Sequence, residues 1–590
     1  MSINSASLIA YSALMATQVQ MTVSSANISN ADTKGYTEKT ANQESLVSGG
    51  AGAGVNVASI TGDVDKLLMK SLVGATSDLG SANSLNNYLD QLQSLYGSTG
   101  DSNSAGNSLG NTLASLESAV SALANSSDVS SEASAVQALN SVALQLRQTS
   151  SSIQQLRSGA DQDISSSIDG ANKNLQLIGS LNDQITQAAA TGQPIGDLED
   201  QRSTAIQAVA SNIDISYFTA ANGSVQVYTA SGQALVDGSV HALSYTPATS
   251  ATPATVYSST PPSGFGGIMV NGVDITRQIN SGAIGALVDL RDQILPAAQS
   301  QLDQLASQLT TSLNAVHNQG TSLPPPASLT GSAAVTASTS LSATGTVRLA
   351  ETDQQGNLVK YQDLDLSGIA TVGDLVNAIN SGASGLSASI NANGNVVISA
   401  ADSGDGVAVN EMTSSVGANK QGLSDYLGLN DLVTGSSASD IAVRGDILSN
   451  PGLLAISTLD SSASPSAGSQ VVSAGSTAVA NNLYSALTDP TTFPAIGGLG
   501  STSTSFADYA ANVVANVASK SSQASIDFTN KQAAQSAFSS TMSSESGVNL
   551  DEETARLSSL QNEYSAAAEL LQVINQMFTS LITAVQSTAA

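Results

Sequence analysis

Near its C-terminal end the chain carries Leu557, Leu560, Tyr564, Ala567, Leu571, Ile574, Phe578, Leu581 and Val585, a series whose steps alternate between three and four residues without a break. This is the spacing of a coiled-coil seam, and it constrains the fold more than any other stretch. A helix with such a stripe must cover it, because burying one Leu-sized side chain is worth roughly 1.5 to 3 kcal/mol. An apolar stripe ordinarily packs within its own domain. Here the neighbouring sequence is thin in bulky apolar residues, so a partner from elsewhere is expected. Gly547 precedes the helix, Asn549 is a good N-cap, and Asp551, Glu552 and Glu553 fill the first turn, where the helix dipole favours carboxylates.

The other end has a narrower, partly polar stripe. Ile3, Ser7, Ala10, Leu14, Thr17, Met21, Ser24 and Ile28 step by alternating fours and threes. The helix is expected to stop between Asn27 and Tyr36, where Asn, Asp and Gly tolerate turn and left-handed conformations. No charged residue occurs before Asp32, so a basic secretory leader is not expected there. The apolar run Leu8 to Ala16 is interrupted by Ser12 and falls well short of the roughly 20 residues of a membrane span.

These terminal segments resemble the bacterial flagellar axial proteins, the family of rod, hook and junction proteins. Ser25-Ala26-Asn27-Ile28-Ser29-Asn30, with Thr33, Gly35 and Tyr36, is similar to the N-terminal motif that family shares. Ser546-Gly547-Val548-Asn549-Leu550-Asp551-Glu552-Glu553 is similar to the C-terminal signature of its hook and junction members. Asp197-Leu198-Glu199-Asp200-Gln201-Arg202 resembles an internal motif of the junction members. Glu38 stands where the family often has a basic residue, with Lys39 beside it.

The resemblance implies a secreted structural adaptor at the hook–filament junction, exported unfolded through the flagellar channel. Its implied partners are its own copies in a ring-like segment, the hook protein, a second hook-associated protein of the junction, and a flagellar export chaperone. Another axial protein (hook, rod or flagellin) is the neighbouring alternative, with a surface adhesin or a secreted hydrolase in different classes. The residues assigned to the assembly seam are Leu14, Met21 and Ile28 with Leu557 to Val585 in the series above. Both stripes are expected to stay disordered in a free molecule and to order when neighbouring subunits cover them.

At roughly 150 residues per domain, 590 residues argue for about four units. Helical spacing recurs from Val64 to Leu95 and from Leu113 to Ala190, with Gly97 to Gly110 as a break. A loop from Thr191 to Gly196 leads into a helix running toward Ala210. Between Ile213 and Ile279 the period shifts toward two, with Asn222-Gly223 a hairpin signal. Ala297 to His317 is helical again, Pro324-Pro325-Pro326 reads as a linker, and Ala507 to Met542 returns to helix. A capped helix from Thr371 to Asn380 and strands Leu386 to Ile390 and Asn395 to Ser399 look like an insertion motif of flagellins.

The expected fold is therefore mixed and mainly α: a discontinuous terminal coiled coil and long-helix bundle core with inserted β-rich outer domains. The expected boundaries are 1–60 with 540–590 for the terminal coiled coil and inner core, and 61–212 with 507–539 for the long-helix rod. Residues 213–323 form a β-rich section followed by a helix, 324–445 an α+β outer domain, and 446–506 a Gly/Ser-rich return segment.

Chemistry is sparse. With 46 acidic against 17 basic residues, the formal charge of −29 opposes phosphate backbones and anionic lipid, so neither nucleic acid nor membrane is an expected partner. The absence of cysteine removes disulfides, thiolate nucleophiles and cysteine-ligated metals. Only His241 and His317 are present, the latter where a helix dipole favours a cation. Gly106-Asn107-Ser108-Leu109-Gly110 fits a nucleophile elbow on paper but lacks its strand–turn–helix context. Asp402 and Asp405, beside Gly404 and Gly406, lack the complete loop of a calcium site. Asp197, Glu199 and Asp200 read as first-turn dipole partners. No catalytic, cofactor or metal site is expected.

Overall fold

The computed structural model describes residues 3–48, 50–97, 108–259 and 264–588, and their fold is mixed and mainly α. Helix α1 (Ile3–Asn30) runs into an antiparallel hairpin of β1 (Lys39–Ser48) and β2 (Ala51–Gly62). Four helices follow: α2 (Lys66–Tyr96), α3 (Leu109–Asn125), α4 (Val129–Ala190) and α5 (Gly196–Ala210). A three-stranded sheet of β3 (Ile215–Thr219), β4 (Val225–Thr229) and β5 (Ala234–Val236) comes next, then the short pair β6 (Met269–Val270) and β7 (Val273–Asp274). Helices α6 (Gly282–Asp289) and α7 (Leu295–His317) return to the bundle.

The inserted section holds β8 (Ser328–Thr330), β9 (Thr346–Thr352), β10 (Leu358–Asp365), α8 (Val372–Ser381), β11 (Leu386–Ile390), β12 (Val396–Ala400), β13 (Gly406–Asn410) and α9 (Leu423–Leu427). It forms two antiparallel sheets, ordered β10-β9-β13 and β11-β12-β8. The way back passes β14 (Val433–Thr434), β15 (Ala442–Val443), α10 (Gly445–Ser449), α11 (Ala478–Thr488), β16 (Thr491–Phe493) and β17 (Thr502–Thr504). Two long helices close the chain, α12 (Phe506–Ser546) and α13 (Leu550–Thr588).

Caps explain where the helices break. The helical spacing read as one run from Leu113 to Ala190 is divided between α3 and α4, because Asp128 accepts from the Ser131 amide at 2.8 Å while Ser131 Oγ accepts from the Asp128 amide at 3.1 Å. Thr371 and Asp374 form a second such box at the start of α8. The hairpin of β1 and β2 was not foreseen from the sequence. Its Gly- and Ala-rich second strand, along α1, has little side-chain alternation to reveal it.

Among the described residues three apolar cores result. The largest runs along α4, which packs on α3, α5, α6 and α7, while α2 and α12 lie side by side. Strands β3 to β5 share this core through Val225, Val227, Leu235 and Val236. The second core lies between the sheets and α8, from Leu329 to Leu429. A small third core joins Ala350, Leu358 and Ala408 to Leu459, Val471 and Val472, so residues 446–506 contribute to two cores. The proline tract is a correction to the linker reading, since Pro326 O accepts from the Val407 amide at 2.8 Å and Ala327 O from the Ala400 amide at 3.0 Å. These bonds tie the tract to the β-sheets.

Inside the largest core sits an ionic cluster. Arg291, on a π-helical turn at Leu290–Ile294, donates to Asp161 of α4 at 3.0 Å and to both oxygens of Asp292 at 2.8 Å. Arg157 donates to the carbonyls of Arg291, Thr252 and Thr255, and both guanidinium groups lie over the Phe265 ring. The charges are thus hydrogen-bonded as well as paired, the condition under which buried ions are tolerated.

His317 corrects an expectation. It is fully buried and neutral in design: Nδ1 donates to Asn430 O, and Nε2 accepts from the Ala455 amide at 2.8 Å. Burial lowers its pKa to about 4. Desolvation of the fully buried ring outweighs the attraction of the helix end for a cation.

Candidate functional site: a terminal helix pair with a buried polar latch

The ends of the chain meet. α1 packs along α13, and Leu560 and Ile574 become buried, the latter 6% exposed. Leu557, Tyr564, Ala567 and Leu571 are half-buried, as are Leu14, Met21 and Ile28 on α1. The expectation that both stripes lack any home within one molecule is therefore corrected: each supplies part of the other's cover. The cover stops short of the tip. Phe578, Leu581 and Val585 remain exposed, the last two at 52% and 61%. Sequence reasoning missed a second exposed set, Leu570, Val573, Met577 and Ile582 on α13 with Leu8, Tyr11 and Met15 on α1. Its spacing is helical too, but it runs beside the seam and is hidden by the seam's own regularity.

At the base of the pair lies a latch of buried polar groups. Asn27, 0% exposed, donates from Nδ2 to Lys39 O at 2.9 Å and to Glu553 Oε1 at 3.3 Å. Its Oδ1 accepts from the Lys39 amide at 3.0 Å and from Tyr36 OH at 2.9 Å. Both faces of the amide are satisfied, as a buried side chain of this kind requires. Glu553, 2% exposed, also accepts from Ser24 Oγ. The Glu38 amide donates to Ser546 O at 2.8 Å, and Arg556 lies 3.6 Å from Glu38 and 3.8 Å from Glu553.

A second half of the latch faces α5. Lys39 forms a buried ion pair with Asp200, and its remaining ammonium donors reach Thr37 O at 3.0 Å and Thr37 Oγ1 at 2.8 Å. Asp200 further accepts from the Thr37 amide at 3.0 Å and hydroxyl at 2.8 Å. Asp200 thus corrects the dipole reading: the first turn of α5 holds Asp197 and Glu199, while Asp200 lies beyond it and is a long-range ion-pair partner. Arg202, two residues further along α5, donates to Gly223 O at 2.7 Å and so holds the β3–β4 turn to the same helix. The Lys39 ammonium lies 4.6 Å from the centre of the Tyr36 ring. Burial, with Asp197, Asp200 and Glu553 nearby, pushes the Tyr36 hydroxyl up to about 12, so it stays a donor to Asn27. Burial and the neighbouring Glu553 raise the pKa of Glu38.

The remaining motif residues shape the turns. Asn30 accepts from Thr33 Oγ1 at 3.2 Å, and Gly35 takes φ +83°, where a Cβ would also stand 2.7 Å from Thr204 Oγ1. Asn549 caps α13, accepting from the Asp551 amide at 3.1 Å, with Val548 half-buried and Leu550 exposed. Thr37 and the latch roles of Ser24 and Lys39 escaped sequence reasoning because their partners Glu553 and Asp200 are far away in the chain. Ser108 is the N-cap of α3, accepting from the Asn111 amide at 3.3 Å, while Gly106 and Asn107 of the same match lie outside the described residues. Among the described residues no helix is long and apolar enough to cross a membrane.

Residues 89–328 match the family model described as the flagellar hook-associated protein FlgK helical domain. Residues 8–37 match that of the flagella basal body rod protein, 539–584 that of the flagellar basal body rod FlgEFG protein C-terminal, and 346–402 that of the flagellin hook IN motif. The chain is 25% identical over 318 residues to flagellar hook-associated protein 1 of Salmonella typhimurium, covering 53% of this chain and 56% of that protein. For the Escherichia coli K12 protein of the same name the identity is 24% over 323 residues, with the same shares of 53% and 56%. The chain thus spans somewhat more than half the length of these curated relatives. The flagellar hook junction protein FlgK from Burkholderia pseudomallei has a similar fold, with a TM-score of 0.50 and 16% identity over 80% of this chain and 100% of that one. The helical-domain match, the rod-type matches at both ends and the relatives' shared name point the same way: over these stretches the chain is similar to the flagellar hook-associated proteins.

Proposed function

We propose that the chain is a structural adaptor of the bacterial flagellum, exported through the flagellar channel and joining hook to filament by polymerising through its terminal helices. The observation that carries this reading is the exposed apolar surface at the far end of α1 and α13, formed by Leu8, Tyr11, Leu570, Val573, Met577, Phe578, Leu581 and Val585. Side chains of this size left in water on a latched helix pair favour covering by further helices. In this reading the latch fixes the angle at which the pair leaves the rod, and neighbouring copies complete the seam from Leu14, Met21 and Ile28 to Val585. The units at 1–60 with 540–590 would form the assembling core, 61–212 with 507–539 and the 213–323 section the rod, and 324–445 with 446–506 the outer face. The partners are sister copies, the hook protein, the second hook-associated protein and an export chaperone that shields the apolar tip before assembly.

A strain lacking the chain should build hooks without filaments and lose filament protein to the medium. A copy carrying Leu581→Asp should fail to restore filaments while its purified form melts as the parent does, because Leu581 touches solvent in the single molecule. Normal filaments from that variant would remove the exposed seam from the mechanism.

A further inference from the structure

We propose that the inserted domain holds a divalent cation site fitted to calcium, built by Glu351 of β9 with Asp402 and Asp405 of the turn joining β12 to β13. One carboxylate oxygen from each residue lies within 4.8 Å of the other two. The sequence offered only the two aspartates of the turn; the third carboxylate arrives from a strand 51 residues earlier.

Glu351 is the independent sign of a ligand. It is 0% exposed, and its Oε1 accepts from the amides of Ala401 at 3.0 Å and Asp402 at 3.3 Å. Its Oε2 is buried and has no hydrogen-bond partner. A buried carboxylate oxygen left bare is rare, because burial costs a charged group more than a neutral one unless a counter-charge meets it. Lys360 stands opposite Glu351 on β10, yet it forms no ion pair among the described residues. Asp402 and Asp405 add two further negative charges to the same place, which makes the cluster unfavourable without a cation and favourable with one.

The donor set selects the metal. All three ligands are oxygens, the chain has no cysteine, and its two histidines lie elsewhere, on a β-rich loop and at the end of α7. Zinc prefers nitrogen and sulfur. Oxygens bound to one calcium at about 2.3 to 2.6 Å stand at most about 5 Å apart, whereas magnesium, at about 2.0 to 2.1 Å, holds them within about 4.2 Å. The three oxygens lie within 4.8 Å of one another, inside the reach of one calcium ion. The ion would tie the β12–β13 turn to the central strand of its sheet and complete the half-satisfied Glu351.

Full-length protein stripped with a chelator and titrated with calcium chloride in a calorimeter, in about 0.15 M sodium chloride to screen diffuse binding, tests this. About one calcium per chain is expected, with Kd on the order of 10⁻⁴ to 10⁻³ M and a rise in melting temperature. Asp405→Asn and Glu351→Gln should each abolish saturable uptake, whereas Asp183→Asn, on the exposed face of α4, should leave it unchanged. Asp405 is half-buried on a turn and not in a core, so its variant keeps the test valid if Glu351→Gln fails to fold. Uptake by Asp405→Asn equal to that of the parent, the absence of saturable uptake by the parent, or equal affinity for magnesium would each overturn the proposal.

Discussion

Asn27→Ala removes a single amide and leaves four groups without it: the N–H and C=O of Lys39, the hydroxyl of Tyr36 and one oxygen of Glu553. Three of these bonds are neutral, worth about 1 kcal/mol each, and the one to the carboxylate about 1.5 to 3 kcal/mol. Tyr36 is half-buried and recovers its hydration, so the net cost to latch closure is about 3.5 to 5 kcal/mol. Each 1.4 kcal/mol is tenfold, which makes the opening equilibrium on the order of 10³ larger. The effect should be local, because α4 lies in a separate, apolar core. Hydrogen exchange read by mass spectrometry on the free protein is the suitable assay. Peptides from 16–30 and 550–565 should lose protection by that factor, while peptides from 135–180 keep theirs. Asn27→Asp should be at least as damaging, since it sets a second carboxylate against Glu553. If Asn27→Ala left the 550–565 peptides at the parent rate, the latch would not be what holds the helix pair to the rod.

Two further outcomes follow from single residues. His317 has a folded-state pKa lowered to about 4 against about 6.5 in the unfolded chain, so its contribution is complete above pH 6.5 and is lost as pH falls toward and through 4. Between pH 7 and pH 5 this group alone removes about 2 kcal/mol of stability; chemical denaturation across that range should show a shallower acid slope for His317→Gln, and an equal slope would refute the assignment. Gly547→Ala would place a Cβ 2.2 Å from Ser543 O at the end of α12, so the connection to α13 must shift. A loss of about 1 to 3 kcal/mol is expected in the local stability of the latch, and unchanged exchange at 546–556 would count against it.

The sequence by itself determined the long helices, the capped insertion helix and the family resemblance. The heptad steps of α13, its Asn549 cap and the Thr371 box of α8 are contained within a few residues each, so periodicity and capping chemistry suffice to read them. The three motifs that carry the family resemblance are equally visible in one dimension. Only the tertiary structure decided that Asn27, Lys39, Asp200 and Glu553 converge, for their separations of 161 and 526 residues leave no trace in any local pattern. The same holds for Glu351 beside Asp402, and for the neutral His317, whose two ring nitrogens are fixed by backbone groups 113 and 138 residues away. An Ala- and Ser-rich chain writes its helices plainly but gives them few distinctive side chains with which to name a partner. Which faces meet is therefore set by long-range packing and by the few buried polar groups that must each find a complement.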